Sequence, residues 1–199
     1  MKAPWNCLEP RKRWPHFQSL GHFLPLLDIA ALECISQATR EFFPDDDPLV
    51  AIEIGSFVGT TALVLAEHFD KVHCVDTWTA SASDDPINDI YRKLENEVYE
   101  VFHANVLRHE EIEVHRMTSR EAAPLFANES AHLGWLDGDH SYEAVLADIR
   151  LYLPKIKRGG FMMGHDLNDA FPGVGRAVGE LFKPERISKI GQCCWVVQV

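Results

Sequence analysis

Two short segments of the sequence place carboxylate and imidazole side chains side by side. One is the DGDH segment at 137–140, and the other is the GHD segment at 164–166. Each follows an apolar run typical of a buried strand. Because the carboxyl ends of parallel strands share one edge of a sheet, the two segments can meet in space. Carboxylates beside imidazoles suit a divalent metal site or general base catalysis. The candidate catalytic residues are Asp137, His140 and His165.

Simpler roles remain open for some of these residues. Asp139 and Ser141 could only cap the helix that follows them, because short polar side chains are common helix caps. His140 could be a hydrogen-bonding residue at the start of that helix. The sequence does not decide between these structural roles and a role in catalysis or metal binding.

A glycine-containing turn follows an earlier strand-like run, at residues 53–60 (EIGSFVGT). Its glycines allow a tight turn and close approach of a ligand, and the next helix starts with N–H groups that favour an anion. The spacing G-x-x-x-G differs from the G-x-G-x-x-G of dinucleotide sites, and there is no G-K-[ST] of a P-loop. An ordinary strand-to-helix turn is the alternative interpretation.

Asp76 ends the next strand-like run, 21 residues after Gly55. About 20 residues separate a glycine loop from a ribose-binding carboxylate in nucleotide-binding folds, so we expect Asp76 to accept hydrogen bonds from ribose hydroxyls. A solvated loop aspartate is the alternative. Ser119, after a later strand, would either cap the next helix or contact an adenine. We expect no capping box, because the third residue beyond Ser119 is Ala122 rather than Glu.

The elements that must position these residues alternate between strands and helices. After a predicted helix at 29–43, strands are predicted at 49–55, 71–76, 111–117, 132–138 and 158–166. Helices are predicted between and after them, at 60–69, 87–104, 119–126, 141–153 and 172–182. Two further strands, joined by a turn at Gly191, end the sequence. The pattern predicts an α/β, Rossmann-like doubly wound sheet with helices on both faces and an antiparallel hairpin at one edge.

Composition narrows the class of protein. The chain has 199 residues, of which 46% are hydrophobic, and its formal net charge is −11. These values exclude disordered, collagen-like and disulfide-framework proteins, and the acidic balance argues against general nucleic-acid binding. The five cysteines lack metal-site spacing, and we expect free thiols; a Cys193–Cys194 disulfide is the alternative. With no secretory h-region and no apolar run long enough to span a membrane, we expect a cytoplasmic protein.

Four segments together resemble a known family. They are EIGSFVGTTALVLAE (53–67), VDTW (75–78), LDGDHSYEAVLADI (136–149) and KRGGFMMGHDLNDAFPGVGRAV (157–178). They are similar to the small class I S-adenosylmethionine-dependent methyltransferases of methyltransferase family 24, over roughly 49–199. The pairing of DGDHSYE with GGxxxGHD is the most specific part of the resemblance.

The resemblance implies a seven-stranded sheet with an antiparallel last strand and gives roles to matching positions. The implied cofactor-binding residues are Glu53, Gly55, Ser56, Gly59, Thr60, Asp76, Thr77, Trp78, Ser119 and Asp137, with Trp78 flanking the adenine. Metal-dependent relatives place acidic ligands after strands four and five, which here correspond to Asp137, His165 and Asp166. His165 replaces an acidic residue, so magnesium, a softer metal or no metal are all compatible with the sequence.

These observations predict S-adenosylmethionine-dependent O-methylation of a small hydroxylated acceptor, such as a sugar or secondary metabolite. The base would be His140 or His165, whose ordinary pKa near 6.5 suits that role, unless a metal activates the hydroxyl. Residues 1–48 would form an arm and a helix packed on the core, a candidate substrate lid, and 49–199 the methyltransferase domain. A metal-dependent hydrolase and a non-catalytic cofactor-binding module are alternatives. We expect neither a membrane nor a nucleic-acid partner, and a homo-oligomer remains open.

Overall fold

The structure, a computed structural model, describes residues 24–199 except 84, 86, 95 and 96. The segment 1–23, the first part of the proposed arm, lies outside the described residues. Within them, the helices are α1 (Leu26–Phe42), α2 (Thr60–Ala66), α3 (Ile87–Leu94), α4 (Glu97–Val106), α5 (Ser119–Ala122), α6 (Tyr142–Tyr152) and α7 (Pro172–Leu181). The strands are β1 (Val50–Ile54), β2 (Lys71–Asp76), β3 (Ile112–Arg116), β4 (Ala131–Leu136), β5 (Ile156–Gly164), β6 (Ser188–Ile190) and β7 (Cys194–Gln198).

The strands form one seven-stranded sheet in the order β3-β2-β1-β4-β5-β7-β6. Strands β1 to β5 pair in parallel, whereas β7 runs antiparallel to both β5 and β6. This confirms the predicted Rossmann-like sheet and its antiparallel last strand. The strand order reverses between β1 and β4, which is the switch point where ligands bind in such sheets.

Two apolar cores cover the two faces of the sheet. One contains Leu32 of α1, Leu65 of α2 and Phe102 of α4, packed on one face, and the other contains Ile149 of α6 and Val178 of α7 on the opposite face. The central strand β4 is buried along its whole length, as expected of a strand covered by helices on both faces. Among the described residues, no helix is both long and apolar enough to cross a membrane.

One predicted helix differs from the structure. The helix expected at 87–104 corresponds to α3 and α4, which lie on either side of residues 95 and 96, outside the described residues. The helix expected at 119–126 is the single turn of α5 followed by a 3₁₀ turn, Ala123–Leu125. Pro124 explains the difference, because a proline has no N–H to continue an α-helical ladder.

Helix α1 is fixed to the sheet by polar contacts as well as by packing. Arg40 donates to the carboxylate of Asp70, which in turn accepts the backbone N–H of Leu49 at 2.7 Å. In the loop after α1, Asp46 lies 2.8 Å from Nε2 of the buried His132 on β4. His132 Nδ1 accepts the N–H of Val50, so the start of β1 is held by the side chain of its neighbouring strand.

Candidate active site

The loop between β1 and α2 passes close to the end of β4, and Gly55 permits this approach. Gly55 has a φ of +86°, and a Cβ built on it would lie 2.1 Å from the carbonyl oxygen of Asp137. Such a contact is impossible, so any larger residue must push the two strand ends apart. Gly59, also at φ +86°, begins α2 and has Phe102 and Val106 against its Cα. The positive φ and the close contacts therefore favour glycine at both positions.

Asp76 organises this loop from the end of β2. Its Oδ2 accepts the backbone N–H groups of Ser56 and Phe57, both at 3.0 Å, and its Oδ1 accepts the N–H of Trp78 at 2.7 Å. The hydroxyl of Tyr91 also donates to Oδ2, at 3.3 Å. Burial raises the pKa of Asp76, and these hydrogen bonds oppose the shift. The carboxylate expected at a ribose thus also holds the glycine loop in shape.

Glu53 lies below the loop and is fully buried. Its Oε1 accepts a short hydrogen bond from the hydroxyl of Thr61. Burial raises the pKa of Glu53 to about 7. Within the described residues, Glu53 Oε2 and the hydroxyl of Ser56 make no hydrogen bond. Of these two atoms, the hydroxyl of Ser56 is the one that a ligand beside the loop could reach, because Glu53 is 0% exposed.

Trp78 lies in the apolar core, and not at the adenine site where it was predicted. Its side chain is 1% exposed, packs against Phe102 at 4.5 Å between ring centroids, and donates to the carbonyl of Phe57 at 2.7 Å. It does not line the cavity described below. The residue expected to flank the adenine is therefore a core residue, and its indole N–H supports the glycine loop from behind.

Ser119 also differs from its expected role as a helix cap. Thr118 is the N-cap of α5, and it forms a capping box with Glu121: the Thr118 hydroxyl accepts the N–H of Glu121, and the Glu121 carboxylate accepts the N–H of Thr118. Ser119 instead donates to Asp148 on α6, at 2.5 Å. The sequence T-x-x-E carried this signal, one residue before the position considered.

The two predicted catalytic segments do meet at the ends of β4 and β5. His140 Nε2 lies 3.1 Å from Asp166 Oδ2 and 3.4 Å from Asp137 Oδ1. On its other side, His140 Nδ1 lies 2.5 Å from the carboxylate of Asp85. The imidazole is thus enclosed by three carboxylates. Asp139 and Ser141 cap α6, as the simpler interpretation expected: Ser141 accepts the N–H of Ala144, and Asp139 accepts that of Ser141.

His165 forms a second imidazole layer beneath this cluster. Its Nδ1 lies 3.0 Å from Asp166 Oδ2 and 3.6 Å from Asp137 Oδ1. Its Nε2 lies 3.1 Å from Asp28 Oδ2, on helix α1. Asp28 was missed in the sequence analysis, because one aspartate at a helix start is most simply interpreted as a residue that favours the helix dipole.

The carboxylates decide the charge of both imidazoles. Burial alone would lower the pKa of His140, but the hydrogen bonds with Asp137, Asp166 and Asp85 outweigh it and raise that pKa to about 12. The same balance raises the pKa of His165 to about 9, and both imidazoles keep the pKa of Asp166 below its usual range. Both rings are therefore cationic near pH 7, in contrast to the expectation of a base with a pKa near 6.5.

A cavity of about 850 Å³ connects the glycine loop with this cluster. That volume is typical of a small-molecule site. Of the predicted site residues, its lining includes Gly55, Ser56, Thr60, Asp76, Thr77, Ser119, Asp137, His140, His165 and Asp166. Glu53, Gly59 and Trp78 lie behind the lining and support it. Leu24 also lines the cavity.

The donor atoms in this cavity also fit a divalent cation. Ligand atoms of Asp137, His140 and Asp166 all lie within 4.8 Å of one another. His165, which was predicted as a ligand, belongs to a neighbouring group with Asp166 and Cys193. Two carboxylates with an imidazole suit a cation such as Mn²⁺ or Zn²⁺ better than Mg²⁺, which prefers oxygen ligands.

Comparisons with known proteins agree with this architecture. A family model described as a methyltransferase domain, of methyltransferase family 24, matches residues 52–167. The O-methyltransferase NovP superposes with a TM-score of 0.63 at 18% identity, over 87% of this chain and 81% of NovP. An O-methyltransferase from Bacillus cereus, solved in complex with SAH, gives 0.63 at 13% identity, over 89% of this chain and 83% of that one.

A third solved structure covers almost the whole chain. CalS11, a TDP-rhamnose 3'-O-methyltransferase of calicheamicin biosynthesis, gives a TM-score of 0.61 at 15% identity, over 99% of this chain and 88% of CalS11. At these identities the similarity shows the fold. No curated protein matches the chain.

Proposed function

The chain belongs to methyltransferase family 24, and from that membership we propose that it methylates a hydroxyl oxygen of a small acceptor, with S-adenosylmethionine as the methyl donor. One observation carries the proposal: a single cavity joins the glycine loop and Asp76 to the cluster of Asp137, His140 and Asp166. A cofactor site and a site for proton removal thus share one space.

The residues around the loop fit such a cofactor. Gly55 brings the backbone against the end of β4, and Asp76 fixes the loop through the N–H groups of Ser56 and Phe57. The unpartnered hydroxyl of Ser56, a residue that lines the cavity, could receive the ammonium group of an amino acid moiety. When bound, S-adenosylmethionine supplies a methyl group that its sulfonium already makes electrophilic.

The protein must then orient the acceptor oxygen and take its proton. The carboxylates of Asp137 and Asp166 line the cavity and can accept a hydrogen bond from the acceptor hydroxyl. His140 and His165 hold these carboxylates in place as cationic donors. In this arrangement the Asp137 carboxylate receives the proton, because both imidazoles lie closer to Asp166 and keep its pKa below the usual range.

A divalent cation would be held by Asp137, Asp166 and His140, would take the place of the His140 proton, and would lower the pKa of the acceptor hydroxyl. The carboxylates and imidazoles at this end of the cavity suit a sugar or another polyhydroxylated small molecule. CalS11 acts on such an acceptor by its name, and the same class is the first to test for this chain.

Calorimetric titration of S-adenosylmethionine tests the cofactor, with added Mg²⁺ or Mn²⁺ and after EDTA treatment. We expect binding in the micromolar range. A set of sugars and phenols with the cofactor, followed by mass spectrometry, then tests the acceptor, and we expect a gain of one methyl group on oxygen. Absence of cofactor binding under every condition would overturn the proposed function.

A further inference from the structure

A second group of metal-binding side chains lies at the edge of the sheet, outside the cavity. It consists of His73 on β2 and of Glu113 and His115 on the edge strand β3. His73 is paired in register with Glu113, and His115 lies two residues further along β3. Because side chains alternate between the faces of a strand, all three project from the same face.

The donor atoms of this group face one another. His73 Nδ1 lies 3.0 Å from His115 Nε2. The two oxygens of Glu113 lie 3.7 Å from His73 Nδ1 and 3.5 Å from His115 Nε2. All three residues therefore offer a ligand atom to one point, within 4.8 Å of one another.

The surroundings hold the two imidazoles rigid and leave the carboxylate accessible. The ring of Phe126 packs against both, with centroid distances of 5.0 Å to His73 and 5.5 Å to His115. The imidazole side chains are only 13% and 10% exposed, whereas that of Glu113 is 48% exposed. A cation can thus enter from the side of Glu113 and meet two fixed nitrogens.

We propose that His73, His115 and Glu113 bind a divalent transition-metal cation of the Zn²⁺ type. Two imidazoles and one carboxylate form a known donor set for zinc, and water completes the tetrahedron. The two facing nitrogens are about as far apart as adjacent ligands of one zinc ion, so small side-chain rotations bring them into position. Each ring then carries its proton on the nitrogen that points away from the cation.

One further contact favours this site. Lys71 Nζ lies 2.6 Å from Glu113 Oε2, so Glu113 can ligate through Oε1 while Lys71 orients the other oxygen. Such partners of a ligating carboxylate typically improve metal affinity.

A cation at this site would tie the edge strand β3 to β2. The carboxyl end of β2 carries Asp76, and β3 leads into Thr118 and Ser119, all of which line the cavity. Metal binding to the native state alone stabilises it by mass action. The site would therefore strengthen the sheet edge that carries one wall of the cavity.

Titration of ZnCl₂ into the full chain, followed by calorimetry and by the thermal unfolding midpoint, tests the site. We expect His115→Gln to weaken one zinc-binding event about 100-fold or more, and to abolish the matching rise in Tm. Glu113→Gln changes only an exposed side chain, so its fold is not in question, and we expect about tenfold weaker binding.

A control separates this site from the cavity. His140→Gln removes an imidazole from the cavity cluster and leaves His73 and His115 untouched, so the zinc event assigned to the sheet edge should persist. The proposal is overturned if the zinc affinity and the Tm shift are the same in the wild type, in His115→Gln and in Glu113→Gln. This result would leave the proposed methyltransferase function unaffected, since that function is tested by cofactor binding.

Discussion

The carboxylate of Asp28 on helix α1 lies 3.1 Å from Nε2 of His165 at the end of β5. Asp28 is completely buried, and it also accepts the backbone N–H groups of Gln192 and Cys193, at 2.5 and 3.2 Å. A Cβ on Gly191 would overlap Asp28 Oδ1, so a glycine lets this turn close over the carboxylate. A residue outside the matched range 52–167 thus fixes the orientation of a side chain in the cavity.

Asp28→Asn should impair catalysis while cofactor binding is retained. The amide keeps an oxygen for the backbone N–H groups and turns its NH₂ toward Nε2 of His165. The ring must then place its proton on Nδ1 and cannot be a cation. We expect kcat to fall about 10- to 100-fold. Nitrogen-15 NMR of the imidazoles should show the changed tautomer of His165, which a purely structural role of Asp28 would not alter.

Cys193→Ala is the matched control for this variant. Its thiol lies 3.2 Å from the same carboxylate and 3.1 Å from Nε2 of His165, and its removal leaves the contact between Asp28 and His165 in place. We expect turnover near that of the wild type. Equal losses of turnover in the two variants would show that general packing, and not the orientation of His165, is responsible.

Gly55→Ala should destabilise the protein and weaken S-adenosylmethionine binding by at least about tenfold. The added Cβ meets the carbonyl of Asp137, and φ is +86°, a region that L-residues rarely adopt. Gly179→Ala on α7 is the control, since nothing lies within 4 Å of its Cβ. In that helix interior, alanine should stabilise by about 0.5–1 kcal/mol. Wild-type binding in Gly55→Ala, measured by calorimetry, would contradict the geometry given for the loop.

Asp137→Ala and His165→Ala should lower kcat about 100-fold or more, with the dissociation constant of S-adenosylmethionine changed only a few-fold. The reason is that both side chains lie at the proposed acceptor end of the cavity rather than at the glycine loop. Steady-state kinetics and cofactor calorimetry on the same samples separate the two effects. Turnover near the wild-type value in both variants would remove these residues from the chemistry.

Removal of divalent cations should also reduce activity. The ligand atoms of Asp137, His140 and Asp166 lie within 4.8 Å of one another, and a cation among them would activate the acceptor hydroxyl. We expect EDTA to abolish turnover and Mn²⁺ to restore it more effectively than Mg²⁺. Turnover that is unchanged after EDTA treatment and dialysis would show that the carboxylates and imidazoles suffice.

Glu53 should make stability depend on pH. Its pKa is about 7 in the folded protein and near 4.5 in the unfolded chain. The folded state therefore holds the proton more tightly, and stability falls as the pH rises from about 4.5 to about 7. This loss is absent in Glu53→Gln. The free energy of unfolding of the variant, relative to that of the wild type, should therefore rise by up to about 3 kcal/mol as the pH goes from 5 to 8.

Urea unfolding of the wild type and of Glu53→Gln, at pH 5 and at pH 8, measures this change in relative stability. Glu110→Gln, which changes an exposed glutamate, should show none. A Glu53→Gln curve that stays parallel to that of the wild type across this range would mean that Glu53 is ionised in the folded state at pH 5 already.

Local sequence patterns were sufficient to predict most of the fold. Short strand-like runs identified β1 to β5, and the turn at Gly191 identified the final hairpin. The short α5 was overestimated because the effect of Pro124 was not weighed.

The sequence could predict that residues next to strand ends lie together, but it could not predict which residues lie behind them. Asp137, His140, His165 and Asp166 are adjacent to strand ends, so topology alone brings them together. Asp28 is 137 residues from His165, and no spacing rule joins a helix start to a strand end. Trp78 was misassigned because its neighbour Asp76 ends a strand at the cavity, while the backbone of Trp78, at φ +51°, turns its ring into the core.

Gly164 shows that one short sequence pattern can combine residues with different roles. A Cβ on this residue would lie 2.7 Å from the indole ring of Trp195 on β7, so a larger residue would force that ring to move. The residues Gly164, His165 and Asp166 therefore meet two separate requirements, one for the fit between neighbouring strands and one for the chemistry of the cavity. A chain that keeps the glycine but has lost the histidine could fold in the same way and do something else. In searches for chains with the same activity, the weight belongs on positions 165 and 166.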